Sequence, residues 1–133
     1  MVNLSFKEIS NRLKNFDLPE TDLVIGIGTG GIVPASLVAF HLGCELAVMT
    51  LNYRDEKNTP VYPEPVLLMK PGDLDLSGKR ILLVDDVSVS GKTMATAMKL
   101  LEGANVKTMA MKGKADFILF PDVQDCVKWP WKE

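Results

Sequence analysis

RILLVDDVSVSGKT, residues 80–93, decides how the rest of the chain is read. Its first half is a nearly continuous apolar run, the pattern of a central strand covered on both faces in a parallel sheet. Its last four letters match the end of the P-loop pattern G-x-x-x-x-G-K-[ST]. There a first glycine, five positions ahead of the second, lets backbone amides wrap around phosphate oxygens. With Gly91 as the second glycine, the first falls on Asp86, a carboxylate where the chain should hug a phosphate, and Asp85 stands beside it. The pattern is not met. What remains is a pair of acids where a strand ends, followed by Ser88, Ser90, Gly91, Lys92 and Thr93 opening a helix. Free amides and hydroxyls at a helix start form a phosphate cup. The acids suit neutral hydroxyls such as a ribose diol, or a magnesium ion, and not the phosphate itself. A sugar phosphate satisfies both halves. The plainer alternative, that the acids cap a turn and Ser90 caps the helix, leaves two carboxylates at the end of an apolar strand, where they are costly without a partner.

Outward from this stretch, the chain alternates strands and helices. MVNLSFKEISNRLKNFDLPE at the start spaces Leu4, Phe6, Ile9, Leu13 and Phe16 roughly as one helix face, with a capping box from Ser5 to Glu8. DLVIGIG reads as a short buried strand that runs into GTGG, and IVPASLVAFHLG as a helix with Pro34 tolerated in its first turn. ELAVMTL (45–51) reads as a strand. NYRDEKNTPVYPE is polar, has two prolines and forms no regular element; a loop this long in a compact domain is functional or disordered. PVLLMK reads as a strand that Pro65 pushes to a sheet edge. Residues 93–101 read as a helix ending near Gly103, and NVKTMAMK and ADFILF as two further strands. This order predicts a single domain, residues 1–133, with an α/β fold: a doubly wound, mostly parallel sheet with helices on both faces. In such sheets ligands bind beyond the carboxyl ends of the strands. GIGTGG and DDVSVSGKT both follow strands directly, so they are expected to meet there.

Composition narrows the function classes. The chain has 133 residues, 47% of them hydrophobic, and a net charge of -2, with a mean hydropathy of +0.11. With no basic run, a sequence-independent grip on nucleic acid has no electrostatic support. No stretch approaches the roughly eighteen apolar residues of a membrane span. The start is too polar for a signal peptide. Cys44 and Cys126 fit neither a metal-ligand spacing nor a disulfide framework, which leaves reduced thiols and a cytoplasmic setting as the expectation. His41 ends a helix and the seven methionines read as core filling.

With those residues in view, V-D-D-V-S-V-S-G-K-T resembles the phosphoribosyl-pyrophosphate signature of the type I phosphoribosyltransferases. The resemblance extends over most of the chain, including a glycine loop, a long central loop, the signature and a short C-terminal base-binding tail. It is nearest to the small xanthine, guanine and hypoxanthine enzymes. It implies transfer of ribose 5-phosphate from phosphoribosyl pyrophosphate to a purine base, a 6-oxopurine being favoured, with magnesium and release of pyrophosphate, in purine salvage. A homodimer or larger homo-oligomer is expected. Under the resemblance Asp85 and Asp86 hold the ribose hydroxyls, directly or through magnesium, and Ser88, Val89, Ser90, Gly91, Lys92 and Thr93 bind the 5-phosphate. Thr29, Gly30 and Gly31 match the pyrophosphate loop, and Tyr53, Arg54 and Lys57, in a loop that closes over the substrate, are further candidates for touching pyrophosphate. Lys114, before ADFILF, would read the exocyclic oxygen of the base, with backbone near Val127 reading another edge.

The sequence departs from the family pattern in three places. Val89 stands where the 6-oxopurine enzymes usually carry an acid, and Thr29 where they commonly carry Arg or Lys. After Asp125 come Cys126 and Val127 in place of an aromatic residue that stacks on the purine; Trp129 and Trp131 follow slightly later. Val89 and Thr29 favour an alternative on the same fold, a regulatory module that binds phosphoribosyl pyrophosphate or a nucleotide without turnover, whereas Lys92, the central loop and Lys114 before ADFILF favour the enzyme, which is the preferred reading. GIGTGG also fits the dinucleotide fingerprint G-x-G-x-x-G. That fingerprint expects an acid at the end of the second strand, where this chain has Thr50 and Leu51.

Overall fold

The computed structural model describes residues 1–52, 66–69 and 76–132. A central sheet of six strands carries the fold: β2 (Leu23–Gly28), β3 (Glu45–Asn52), β4 (Val66–Met69), β5 (Arg80–Ser88), β6 (Asn105–Gly113) and β7 (Phe117–Ile118), in the order β4-β3-β2-β5-β6-β7. All pairings are parallel except that of β3 with β4, which lies antiparallel at the edge, the position expected for it. The winding runs outward from β2 to β3 and then crosses back to β5 on the other side of β2. That reversal makes the carboxyl ends of β2 and β5 the place where a crevice opens.

β5 shows why its apolar run is unbroken. Ile81 and Leu83 join one core layer with Leu23, Ile25, Ile27 and α3 (Lys92–Leu100). Leu82 and Val84, pointing the other way, join a second layer with Val24, Met109, Met111, α1 (Phe6–Lys14) and α2 (Ile32–Leu42). Both faces of the strand are covered, so both sets of alternate side chains must be apolar.

α1 begins with the expected capping box: the Glu8 amide donates to Ser5 Oγ at 3.1 Å and the Ser5 amide to Glu8 Oε2 at 3.4 Å. Such a cap contributes about 1 kcal/mol, less than burial of Ile9 and Leu13 at roughly 1.5–3 kcal/mol each. Packing therefore holds this helix and the cap sets its start. Because Ser5 is the cap, Leu4 lies outside the helix, and Phe6 is exposed at its first turn instead of facing the core. The expected five-residue face reduces to Ile9 and Leu13, with Leu4 and Phe16 packing at its margin.

Three further differences from the sequence reading follow from pairing and packing. β5 does not stop at the acids but runs through them to Ser88, because its pairing with β6 continues to Ser88↔Gly113. The ADFILF strand shrinks to Phe117–Ile118, since Leu119 and Phe120 turn into the core while still donating to the Ala110 and Met111 carbonyls. A small second sheet was not expected: β1 (Val2–Asn3) pairs in parallel with β8 (Val127–Lys128), tying the segment after β7 to the start of the chain. No helix among the described residues is long and apolar enough to cross a membrane, and Cys44 and Cys126 are both free thiols.

Candidate functional site

The acids lie where the topology puts the crevice. Asp85 is 8% and Asp86 6% exposed. Part of their acceptor capacity is used locally: the Asp86 amide donates to Asp85 Oδ1 at 2.8 Å and the Val87 amide to Asp86 Oδ1 at 2.7 Å. Burial, and then the neighbouring Asp86 charge, push the Asp85 carboxyl well above the usual carboxylate range. Asp86 Oδ2 meets the Lys132 ammonium at 2.6 Å as a close ion pair and not as an aligned hydrogen bond.

The glycine loop reaches the same carboxylate. The Gly28–Thr29 peptide is cis, and after it the chain passes so close to β5 that a methyl group on Gly30 would come within 2.7 Å of Asp86 Oδ2. Only glycine fits. The segment after β2 and the acids of β5 thus lie side by side.

Beyond the acids the chain enters the Ser88–Thr93 segment. Ser88 is 6% exposed, and its hydroxyl oxygen has no hydrogen-bond partner among the described residues. Val89 projects into solvent at 76% exposure. Gly91, at φ +80, turns the chain into α3, and Ser90 Oγ accepts from the Lys92 amide at 3.2 Å. Ser90 therefore covers one amide of the helix start. The Thr93 and Met94 amides follow, which helix geometry leaves without intrahelical acceptors.

Lys114 sits next to this segment. Its amide donates to the Ser88 carbonyl at 2.7 Å, and Gly113 before it takes φ +104 with the same carbonyl packed against its Cα. The far end of the turn is locked by Asp116, whose Oδ2 accepts from the Thr108 amide and hydroxyl at 3.0 and 3.1 Å. The Lys114 side chain is exposed. Val127 lies in β8, where Val2 donates to the Cys126 carbonyl and Leu4 to the Lys128 carbonyl. In a parallel ladder this turns the Val127 amide and carbonyl away from β1.

The tryptophans separate. Trp129 is buried against Phe120 in the core, so it is not a base-stacking residue. Trp131 stacks on it at 5.2 Å and 9° and touches Phe6, with a buried indole nitrogen lacking a partner among the described residues. Tyr53, Arg54 and Lys57 lie outside the described residues. Lys132 was missed by sequence reading, since a lone lysine after WPW belongs to no motif or periodicity.

Comparison with known proteins follows the same lines. A family model described as "Phosphoribosyl transferase domain" matches residues 6–112. An orotate phosphoribosyltransferase of Sulfurisphaera tokodaii is 30% identical over 100 residues, covering 75% of this chain and 45% of the relative. A transcriptional regulator, GfcR, of Methanothrix thermoacetophila is 34% identical over 89 residues, covering 67% and 42%. The chain thus spans less than half the length of these curated relatives. The crystal structure of a purine phosphoribosyltransferase from Pyrococcus horikoshii superposes with a TM-score of 0.78 at 24% identity over 99% of this chain and 94% of the other. At that identity the likeness speaks for the fold.

Proposed function

The chain belongs to the phosphoribosyl transferase domain family, and from that premise we propose that it transfers ribose 5-phosphate from phosphoribosyl pyrophosphate to a 6-oxopurine base, releasing pyrophosphate. The observation that carries this reading is the convergence of two buried carboxylates, a glycine loop pressed against one of them and a helix start just beyond. Each answers one part of a phosphorylated sugar diphosphate. Asp85 and Asp86 accept from the ribose hydroxyls. Ser88 and the amides through Thr93 take the 5-phosphate, and the loop of Thr29, Gly30 and Gly31 takes the pyrophosphate.

Among the described residues no group of three or more His, Cys, Asp or Glu side chains gathers as a cation cage. Two buried carboxylates fit a magnesium ion that completes its shell with substrate oxygens and water. Such an ion, held by Asp85 and Asp86, would offset charge on the departing pyrophosphate. The chain's own part is orientation. Breaking the bond from sugar C1 to the pyrophosphate oxygen leaves positive character on the sugar, next to the acids, and negative charge on the leaving group, next to loop amides. The base nitrogen attacks from the side on which Lys114 lies. An ammonium is a donor only, so it pairs with the exocyclic oxygen of guanine, xanthine or hypoxanthine and not with the amino group of adenine. A cytoplasmic homo-oligomer is the setting this reading expects, supported by the free thiols and by Phe40, an aromatic side chain fully presented to solvent on α2.

One observation favours a second reading. Val89, where an acid would manage the base's ring proton, is exposed and apolar, and one relative is a transcriptional regulator. A module that binds phosphoribosyl pyrophosphate or a nucleotide without turnover fits both. Incubation with phosphoribosyl pyrophosphate, magnesium and separate bases, read as pyrophosphate release, decides between them. The proposed enzyme releases pyrophosphate faster with hypoxanthine, guanine or xanthine than with adenine. Equal rates with adenine refute the base assignment, and binding without release for any base selects the regulatory module.

A further inference from the structure

We propose that Lys132 is a ligand-binding residue of this site, supplying the ammonium that balances a diphosphate group held at the glycine loop. The inference rests on the proposed function and names a residue which that reading lacks. GIGTGG, residues 26–31, offers a diphosphate backbone amides and one hydroxyl but no cationic side chain. It also lies close to a carboxylate, since a Cβ at Gly30 would come within 2.7 Å of Asp86 Oδ2. A polyanion placed there would face a like charge in a partly buried setting, where repulsion is poorly screened. A cation between them removes that conflict.

Lys132 stands at this point. Its Nζ is 2.6 Å from Asp86 Oδ2, on the oxygen that Gly30 approaches, while its side chain remains 52% exposed. An ammonium has three donors, so the pairing with Asp86 leaves others for a ligand on the open side. The segment that delivers it is packed in place. β8 pairs with β1, Trp129 is buried and stacked on Trp131, and the Lys132 amide donates to the Trp129 carbonyl at 3.1 Å. The Lys112 ammonium also donates to the Asp125 carbonyl, which ties the same segment to β6. Asp86 is then both an acceptor for the sugar and the anchor that aims Lys132 at the neighbouring phosphates.

The test is calorimetric titration of the full chain, in magnesium, with inorganic pyrophosphate and separately with ribose 5-phosphate, which has no diphosphate. Lys132→Ala should weaken pyrophosphate binding by roughly tenfold or more, and binding of ribose 5-phosphate, which reaches Lys132 only through Asp86, by clearly less. Lys132→Arg, which keeps the charge, should bind pyrophosphate nearly as the parent does. Equal losses for both ligands in Lys132→Ala would mean that the lysine only holds Asp86 in shape. Tighter pyrophosphate binding would mean that it plugs the site. Either result overturns the inference. A parent protein that binds ribose 5-phosphate but no pyrophosphate overturns it and leaves the sugar-phosphate reading standing; one that binds neither overturns both.

Discussion

The two ends of β5 handle charge in opposite ways. At its start, Arg80 donates from Nε and Nη2 to the Asp22 carboxylate at 3.0 Å each and pairs also with Glu20, all in contact with solvent. Those hydrogen bonds hold the Asp22 carboxyl down to about 2. At its other end, Asp85 and Asp86 are buried side by side, and the Asp85 carboxyl is pushed up to about 8. The first arrangement is self-satisfied. Exposed pairs of that kind contribute little to stability, because solvent screens them. The second costs stability, since one acid is destabilised by burial and by the other.

The largest effect is expected where the acidic end of β5 is most tightly built. Gly113→Ala would place a methyl 2.0 Å from the Ser88 carbonyl at φ +104, and strain and overpacking together should lower unfolding free energy by about 3 kcal/mol. Chemical denaturation measures this, and an unchanged midpoint would show that the Lys114 turn does not dock on β5 as described.

Next comes the direct test of the contrast. Replacing Asp85 and Asp86 together by Asn should weaken phosphoribosyl pyrophosphate binding by more than about 1.4 kcal/mol, tenfold in affinity. The thermal midpoint should hold or rise, because a buried charge is removed. Asp22→Asn should do the reverse, leaving affinity untouched and lowering the midpoint slightly. Calorimetry and thermal unfolding of both variants would break the comparison if their outcomes matched.

A smaller change is expected at the turn beside Ser88, under the proposed transfer to a base. Lys114→Ala should reduce the preference for hypoxanthine over adenine by about tenfold. Val89→Asp should raise the rate with hypoxanthine by supplying a proton acceptor. Competition assays with both bases and initial rates measure these, and an unchanged preference in Lys114→Ala would remove that residue from the base pocket.

The smallest effect belongs to the closed end. Asp22 has a folded pKa below its ordinary value of 3.8, so its contribution to stability is present above that value and is lost as pH falls toward about 2. Thermal unfolding between pH 5 and 2 should show a shallower acid limb in Asp22→Asn than in the parent. Identical acid limbs would show that the Arg80 pairing carries no stability.

Much of this molecule was legible before folding. The unbroken apolar run of β5, the glycines after β2 and the paired acids each report a local demand: burial on both faces, close backbone approach, a polar partner at a strand end. Such demands act on neighbouring residues, so they leave a pattern in the order of the letters. The capping box from Ser5 to Glu8 was readable for the same reason, and so was the edge position of β4 after Pro65.

What tertiary structure alone decided are the contacts between segments that share no pattern. β1 and β8 are two residues each, too short for any period to show, and they pair only because α1 and the segment after β7 pack on the same sheet face. Trp129 and Trp131 look equivalent in WPW, yet the first is core and the second lies at its margin, a choice made by the space beside Phe120. Gly113 meets Ser88 because of the β5–β6 register, and Lys132 meets Asp86 because β8 is anchored far from it in sequence. The order of residues set a glycine turn and a pair of acids on two neighbouring strands. Only the packing of the segment after β7 decided which cation stands over the acids, because a side chain's reach is set by where its backbone is fixed.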